Sequence, residues 1–176
     1  GMAIQPSTGD LWCSVNERDG LGDNLPPDYI TRVREGAFYG WPWYYIGNHL
    51  DPRWKDNAPD IGDQATVPDV LFQPHSAPLN VVFYEANAFG PEYAHQGFVA
   101  MHGSWNRGKR TGYKVVKLEI DKDGKATGVY RDFMTGFVTD DGDVWGRPVG
   151  VAVSPDGALF VSDDGSGSIW KVSKSQ

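Results

Sequence analysis

Apolar residues recur along this chain in short alternating runs, separated by turns that carry glycine or proline. Such runs predict strands joined by tight turns. At the start, Gly1-Met2-Ala3-Ile4-Gln5-Pro6 and Gly9-Asp10-Leu11-Trp12-Cys13-Ser14 form a hairpin pattern, and Tyr29 to Val33 makes a third strand. In the middle, Leu79 to Tyr84, Gly97 to Gly103 and Tyr113 to Ile120 predict three strands, with Thr127 to Phe133 as a fourth, outer one. Near the end, the hairpin pattern returns and Ser168 to Val172 closes it.

The two ends match, with a one-residue insertion in the first turn. Gly1 to Pro6 aligns with Gly150-Val151-Ala152-Val153-Ser154-Pro155, and Gly9 to Ser14 with Gly157-Ala158-Leu159-Phe160-Val161-Ser162. Repeated units of three or four antiparallel strands read as blades of a β-propeller, here about three of them. A plain antiparallel sandwich is the alternative. The units fall at 1–34, 79–138 and 145–174, within one partial propeller domain. The first lacks the lead-in that Trp145-Gly146-Arg147-Pro148-Val149 gives the last, so the chain is expected to begin inside a unit. Between the first two units, 35–78 is an insertion rich in Trp, Tyr, Pro and Asp, including Tyr39-Gly40-Trp41-Pro42-Trp43-Tyr44-Tyr45 and Asp51-Pro52-Arg53-Trp54. Long irregular stretches either carry function or are held by their own aromatics.

Composition sharpens this. The 22 glycines and 12 prolines disfavour a helical bundle, while 40% apolar residues over 176 positions suffice for a core. A net charge of −7 excludes nucleic acid as a natural partner. No apolar run approaches the ~18 residues of a membrane span. One cysteine, Cys13, excludes an internal disulfide, and no signal peptide pattern stands at the start. Phosphate-loop, dinucleotide, zinc-protease and nucleophile-elbow motifs are absent. Asp140-Asp141-Gly142-Asp143 opens like a calcium loop but lacks the glutamate at its twelfth position.

Four stretches carry a resemblance. They are Val15-Asn16-Glu17-Arg18-Asp19-Gly20-Leu21-Gly22-Asp23-Asn24-Leu25-Pro26-Pro27-Asp28-Tyr29, Tyr39-Gly40-Trp41-Pro42, His102-Gly103-Ser104-Trp105-Asn106-Arg107, and Gly146-Arg147-Pro148-Val149-Gly150 with Ser154-Pro155-Asp156-Gly157. The chain resembles the glucose/sorbosone dehydrogenase family, in its sorbosone dehydrogenase-like branch. The resemblance implies an all-β six-bladed propeller that uses pyrroloquinoline quinone (PQQ) and Ca²⁺ to oxidise a sugar or sugar aldehyde. It implies a periplasmic or secreted place of work. Family members are about twice this length, and the resemblance places this chain in their C-terminal half. It also places the catalytic histidine in the other half, so the chain alone is expected to be inactive.

The resemblance implies cofactor contacts at Arg147, Arg18, Asn106, Arg107 and His75, and metal ligation by the Asp19 and Gly20 carbonyls. Guanidinium groups suit carboxylates and quinone oxygens, and hard cations suit oxygen ligands. Each residue has a plainer alternative: a salt bridge from Arg147 to Asp141 or Asp143, a turn role for Asp19, a carbonyl-held loop histidine at His75. Trp105 is either a stacking wall or packing, and Lys109-Arg110 reads as solvated. A different reading of the whole is a non-catalytic propeller-like module that binds a sugar or a protein; a calcium-using hydrolase of the lactonase type is a third. Half a propeller leaves two apolar faces bare, so self-association or pairing with the N-terminal half is expected.

Overall fold

The computed structural model describes residues 1–174. Its strands are β1 (Met2–Ile4), β2 (Leu11–Val15), β3 (Tyr29–Arg32), β4 (Tyr44–Tyr45), β5 (His49–Leu50), β6 (Val70–Leu71), β7 (Pro78–Phe83), β8 (Gly97–Met101), β9 (Lys114–Ile120), β10 (Ala126–Met134), β11 (Pro148–Val153), β12 (Leu159–Asp163) and β13 (Ser168–Val172). They form four antiparallel sheets, in the orders β1-β2-β3-β6, β10-β9-β8-β7, β11-β12-β13 and β4-β5. The chain is all-β, and none of the sheets closes on itself.

The three larger sheets pack in series. Trp12 and Ile30 of the first sheet meet Val81, Phe83, Val99, Met101, Val116 and Leu118 of the second in one core. Phe98, Ala100 and Val115, on the opposite face of the second sheet, meet Val151, Leu159 and Val161 of the third in another. Alternation of side chains across a strand lets one sheet serve both cores. This explains why β8 is buried at every position. Trp12 is fully buried and its indole N–H donates to Gln5 Oε1 at 2.9 Å, while Gln5 Nε2 donates to the Gly124 carbonyl at 3.0 Å. That relay ties the first hairpin turn to the turn before β10.

The sequence repeat is a repeat of register. Met2 pairs with Cys13, Ala3 with Trp12 and Ile4 with Leu11. The aligned residues pair in the same way: Val151 with Val161, Ala152 with Phe160 and Val153 with Leu159. The 35–78 stretch, expected to be irregular, holds the β4–β5 hairpin, two short 3₁₀ turns and β6. In β6 the chain returns to pair with β3, a fourth strand too short for alternation to announce.

Candidate functional site

Four loops interlock beside the sheets: 15–28 after β2, 73–77 before β7, 102–113 after β8, and 146–147 before β11. The buried carboxylate of Asp28 fastens the first two, accepting from the Glu17 N–H at 2.8 Å and the Ala77 N–H at 2.7 Å. Burial pushes its pKa up to about 6, against the pull of those two backbone donors. His75, Ala77 and Tyr113 all adopt positive φ, a conformation that non-glycine residues keep only where their surroundings enforce it. Gly103 permits a close approach: a Cβ there would lie 2.5 Å from the Tyr113 ring.

Asp19, His75 and Asn106 come together. The Asp19 carboxylate accepts from Asn106 Nδ2 at 2.8 Å and faces His75 Nδ1 at 3.3 Å. The other ring nitrogen of His75 lies 2.9 Å from the Gly22 carbonyl, which is the plainer role expected for it. Asn106 Oδ1 is buried with no partner, an acceptor left open at the centre of the cluster.

Arg18 is nearly buried and mostly spent. It donates to Glu17 Oε2, to the Pro42 and Tyr44 carbonyls, and to Asp51 Oδ2. Its guanidinium lies 4.8 Å from the Trp41 ring centroid. Arg18 therefore clamps the aromatic insertion onto the first sheet. Asp51 is wholly buried; the Arg53 side chain first, and Arg18 with it, hold its carboxyl well below the usual carboxylate range. Arg53 also donates to the Asp19 carbonyl at 2.9 Å. Arg107 stitches its loop to the Asp23 carbonyl and Asn24 Oδ1.

Arg147 stands in a separate slot of about 290 Å³, lined by Ser104, Trp105, Arg110, Tyr113, Val144 and Arg147. Its backbone N–H donates to Asp163 Oδ1 at 2.7 Å. Burial opposes ionisation of Asp163, but that N–H, the Ser166 hydroxyl and the Trp170 indole outweigh it and bring its pKa to about 2. The Arg147 side chain reaches the His102 and Gly103 carbonyls. Arg110 donates to the Gly142 carbonyl and to the Tyr113 hydroxyl. Neither arginine has a carboxylate partner among the described residues, so Arg147 does not make the salt bridge to Asp141 or Asp143 that was its alternative role. Trp105 beside them is 77% exposed, so packing does not account for it. Both guanidinium groups lie within 6 Å of the Tyr113 ring centroid, and the bare Trp105 indole lines the same slot.

Arg53, Arg110 and Tyr113 escaped the sequence reading. Arg110 looked like one of a solvated pair with Lys109; only the fold brings it to Tyr113. Among the described residues, no three His, Cys, Asp or Glu side chains gather as a metal site.

The serial antiparallel sheets define the class as an all-β domain. The fold matches the holo PQQ domain of pyranose dehydrogenase from Coprinopsis cinerea, with a TM-score of 0.74 at 24% identity, over 99% of this chain and 53% of that one. In sequence, the chain is 35% identical to an uncharacterized protein of Borreliella burgdorferi, over 98% of this chain and 45% of that protein. It is 32% identical to a pyrroloquinoline quinone-dependent pyranose dehydrogenase of Coprinopsis cinerea, over 88% of this chain and 24% of that protein. The TrAA12-like family model matches residues 50–175. The chain belongs to this family, among the glucose/sorbosone dehydrogenase-like proteins. It spans about half the length or less of the relatives it matches.

Proposed function

We propose that this chain is the cofactor-holding part of a PQQ-dependent sugar or sugar-aldehyde dehydrogenase, built as about three blades of a six-bladed propeller. The observation that carries the reading is the pair Arg147 and Arg110, both without carboxylate partners, beside the exposed Trp105. PQQ is flat and carries carboxylates, so this donor set fits it. Bound there, PQQ would supply the hydride acceptor for a sugar carbon. Arg147 and Arg110 would hold its carboxylates, and Trp105 would cover one face. Asn106 would turn its open Oδ1 toward a donor or cation. His75 and Arg107 would set the loops rather than touch the cofactor, and Arg18 would position the insertion.

Calcium at the Asp19 and Gly20 carbonyls is a partial fit. The ligands are hard oxygens, and Asn106 Oδ1 offers another. The Arg53 guanidinium already takes the Asp19 carbonyl, so a metal there must displace it. By family resemblance the place of work is outside the cytoplasm, for which a single free cysteine is suitable.

No histidine in these loops is placed as a base: His75 and His102 are engaged with Asp19 and Asp164. Turnover therefore needs residues from elsewhere. Mixing the chain with PQQ, Ca²⁺, an aldose and an artificial electron acceptor tests this. The expected result is quenching of tryptophan fluorescence by PQQ without dye reduction. Sustained dye reduction would contradict the incompleteness, and absence of any quenching would contradict the cofactor role.

A further inference from the structure

A second cleft has Asp19 in its wall. It measures about 570 Å³ and is lined by Arg18, Asp19, Trp41, Pro42, Arg53, Trp54 and Asn57. That volume falls within the range of roughly 300–1,000 Å³ typical of small-molecule sites. It lies outside the Arg147 slot, with Asp19 and Arg53 in common with the calcium candidate. Trp41 is 65% exposed and Trp54 38% exposed, so two indoles share one open hollow. Large aromatic surfaces left bare side by side mark a site that something covers.

The polar lining decides what covers it. Arg53 spends three of its five N–H groups, on Asp51 and the Asp19 carbonyl, leaving two free. The Asn57 amide and both indole N–H groups have no protein partner among the described residues. Acceptors are present too, at the Asp19 carboxylate and Asn57 Oδ1. The charges do not favour an anion: Glu17 and Asp51 match Arg18 and Arg53, and Asp19 leaves the surroundings negative. Aromatic faces with free donors and acceptors in near-neutral surroundings suit a ring that is apolar on its C–H face and carries hydroxyls at its rim.

We infer that this cleft is a pyranose-binding subsite, separate from the cofactor slot. The two are joined by one hydrogen bond, from Asn106 Nδ2, next to Trp105, to Asp19. A saccharide of two or more rings can place one ring in the tryptophan cleft and present its neighbour toward the slot. The preferred ligand is therefore a disaccharide or longer glycan rather than a free monosaccharide. The identity of the reacting ring rests on the cofactor reading above; binding in the cleft does not.

The test is nuclear magnetic resonance of the tryptophan indole N–H signals in the PQQ-free full chain, titrated with cellobiose, glucose and glucuronate. Cellobiose should shift the Trp41 and Trp54 signals saturably and bind more tightly than glucose or glucuronate. Trp54→Ala should weaken cellobiose at least tenfold, about 1.4 kcal/mol, while PQQ quenching persists. Asn57→Ala, which removes no packing surface of a core, should weaken it in the same sense. The inference is overturned by no saturable shift up to about 100 mM sugar, well above the millimolar range of weak binding. It is equally overturned by tighter binding of glucuronate, or by unchanged affinity in Trp54→Ala. Loss of PQQ quenching with cellobiose binding intact would instead defeat the cofactor reading alone.

Discussion

At the scale of single residues, the site depends on carboxylates that serve as fasteners. Asp28 joins two loops and Asp163 holds the Arg147 backbone, and their titrations run in opposite directions. The Asp28 pKa rises from 3.8 to about 6, so its contribution to stability is full below pH 4 and is lost as pH rises through 6. The shift corresponds to roughly 3 kcal/mol for a fully buried group. Asp163, with its lowered pKa, contributes above pH 4 and loses that only as pH falls toward 2. Urea midpoints of the wild type and Asp28→Asn between pH 4 and 7 check this. The wild type should lose stability relative to the variant across that window; a constant difference would contradict it. Arginines in the loop motifs were legible as chemistry in the sequence. Which of them were spent was not, because Arg18 meets its partners Pro42, Tyr44 and Asp51 only when the insertion folds back.

At the scale of elements, the hairpins were readable because alternation and turn chemistry are local. The end-to-end alignment even carried the pairing register. What stayed hidden depends on distant pairing: two-residue strands such as β6, and the positive-φ His75, Ala77 and Tyr113 that shape the loops. The repeat also pairs residues with unequal energetic roles. Trp12 and Phe160 are equivalent by alignment, yet Trp12 is fully buried between the first two sheets and Phe160 lines an open groove. Trp12→Ala should therefore cost about 3–5 kcal/mol, whereas Phe160→Ala should cost under about 1 kcal/mol in the isolated chain. Denaturant unfolding of both variants decides it; equal costs would mean that Phe160 is covered in the isolated chain.

At the scale of the whole molecule, both ends of the sheet series present faces that are covered elsewhere in the same chain. Met2 and Ile4 are 67% and 56% exposed, yet the aligned Val151 and Val153 pack against the second sheet. At the other end, Phe160 and Ile169 line an apolar groove of about 410 Å³, on the face equivalent to the one Trp12 buries. A head-to-tail arrangement of two chains would cover both faces. Light scattering should show association that grows with concentration and weakens in a Phe160→Asp/Ile169→Asp variant; a clean monomer at all concentrations would rule out self-association. The proposed function puts a flat anionic quinone in the Arg147 slot. Its most direct measurement is equilibrium titration of the chain with PQQ, comparing the wild type with Arg147→Ala. Saturable binding that weakens at least tenfold in the variant, while its unfolding midpoint stays near the wild-type value, is the result expected here. Equal binding by both chains, or none by the wild type, would contradict it.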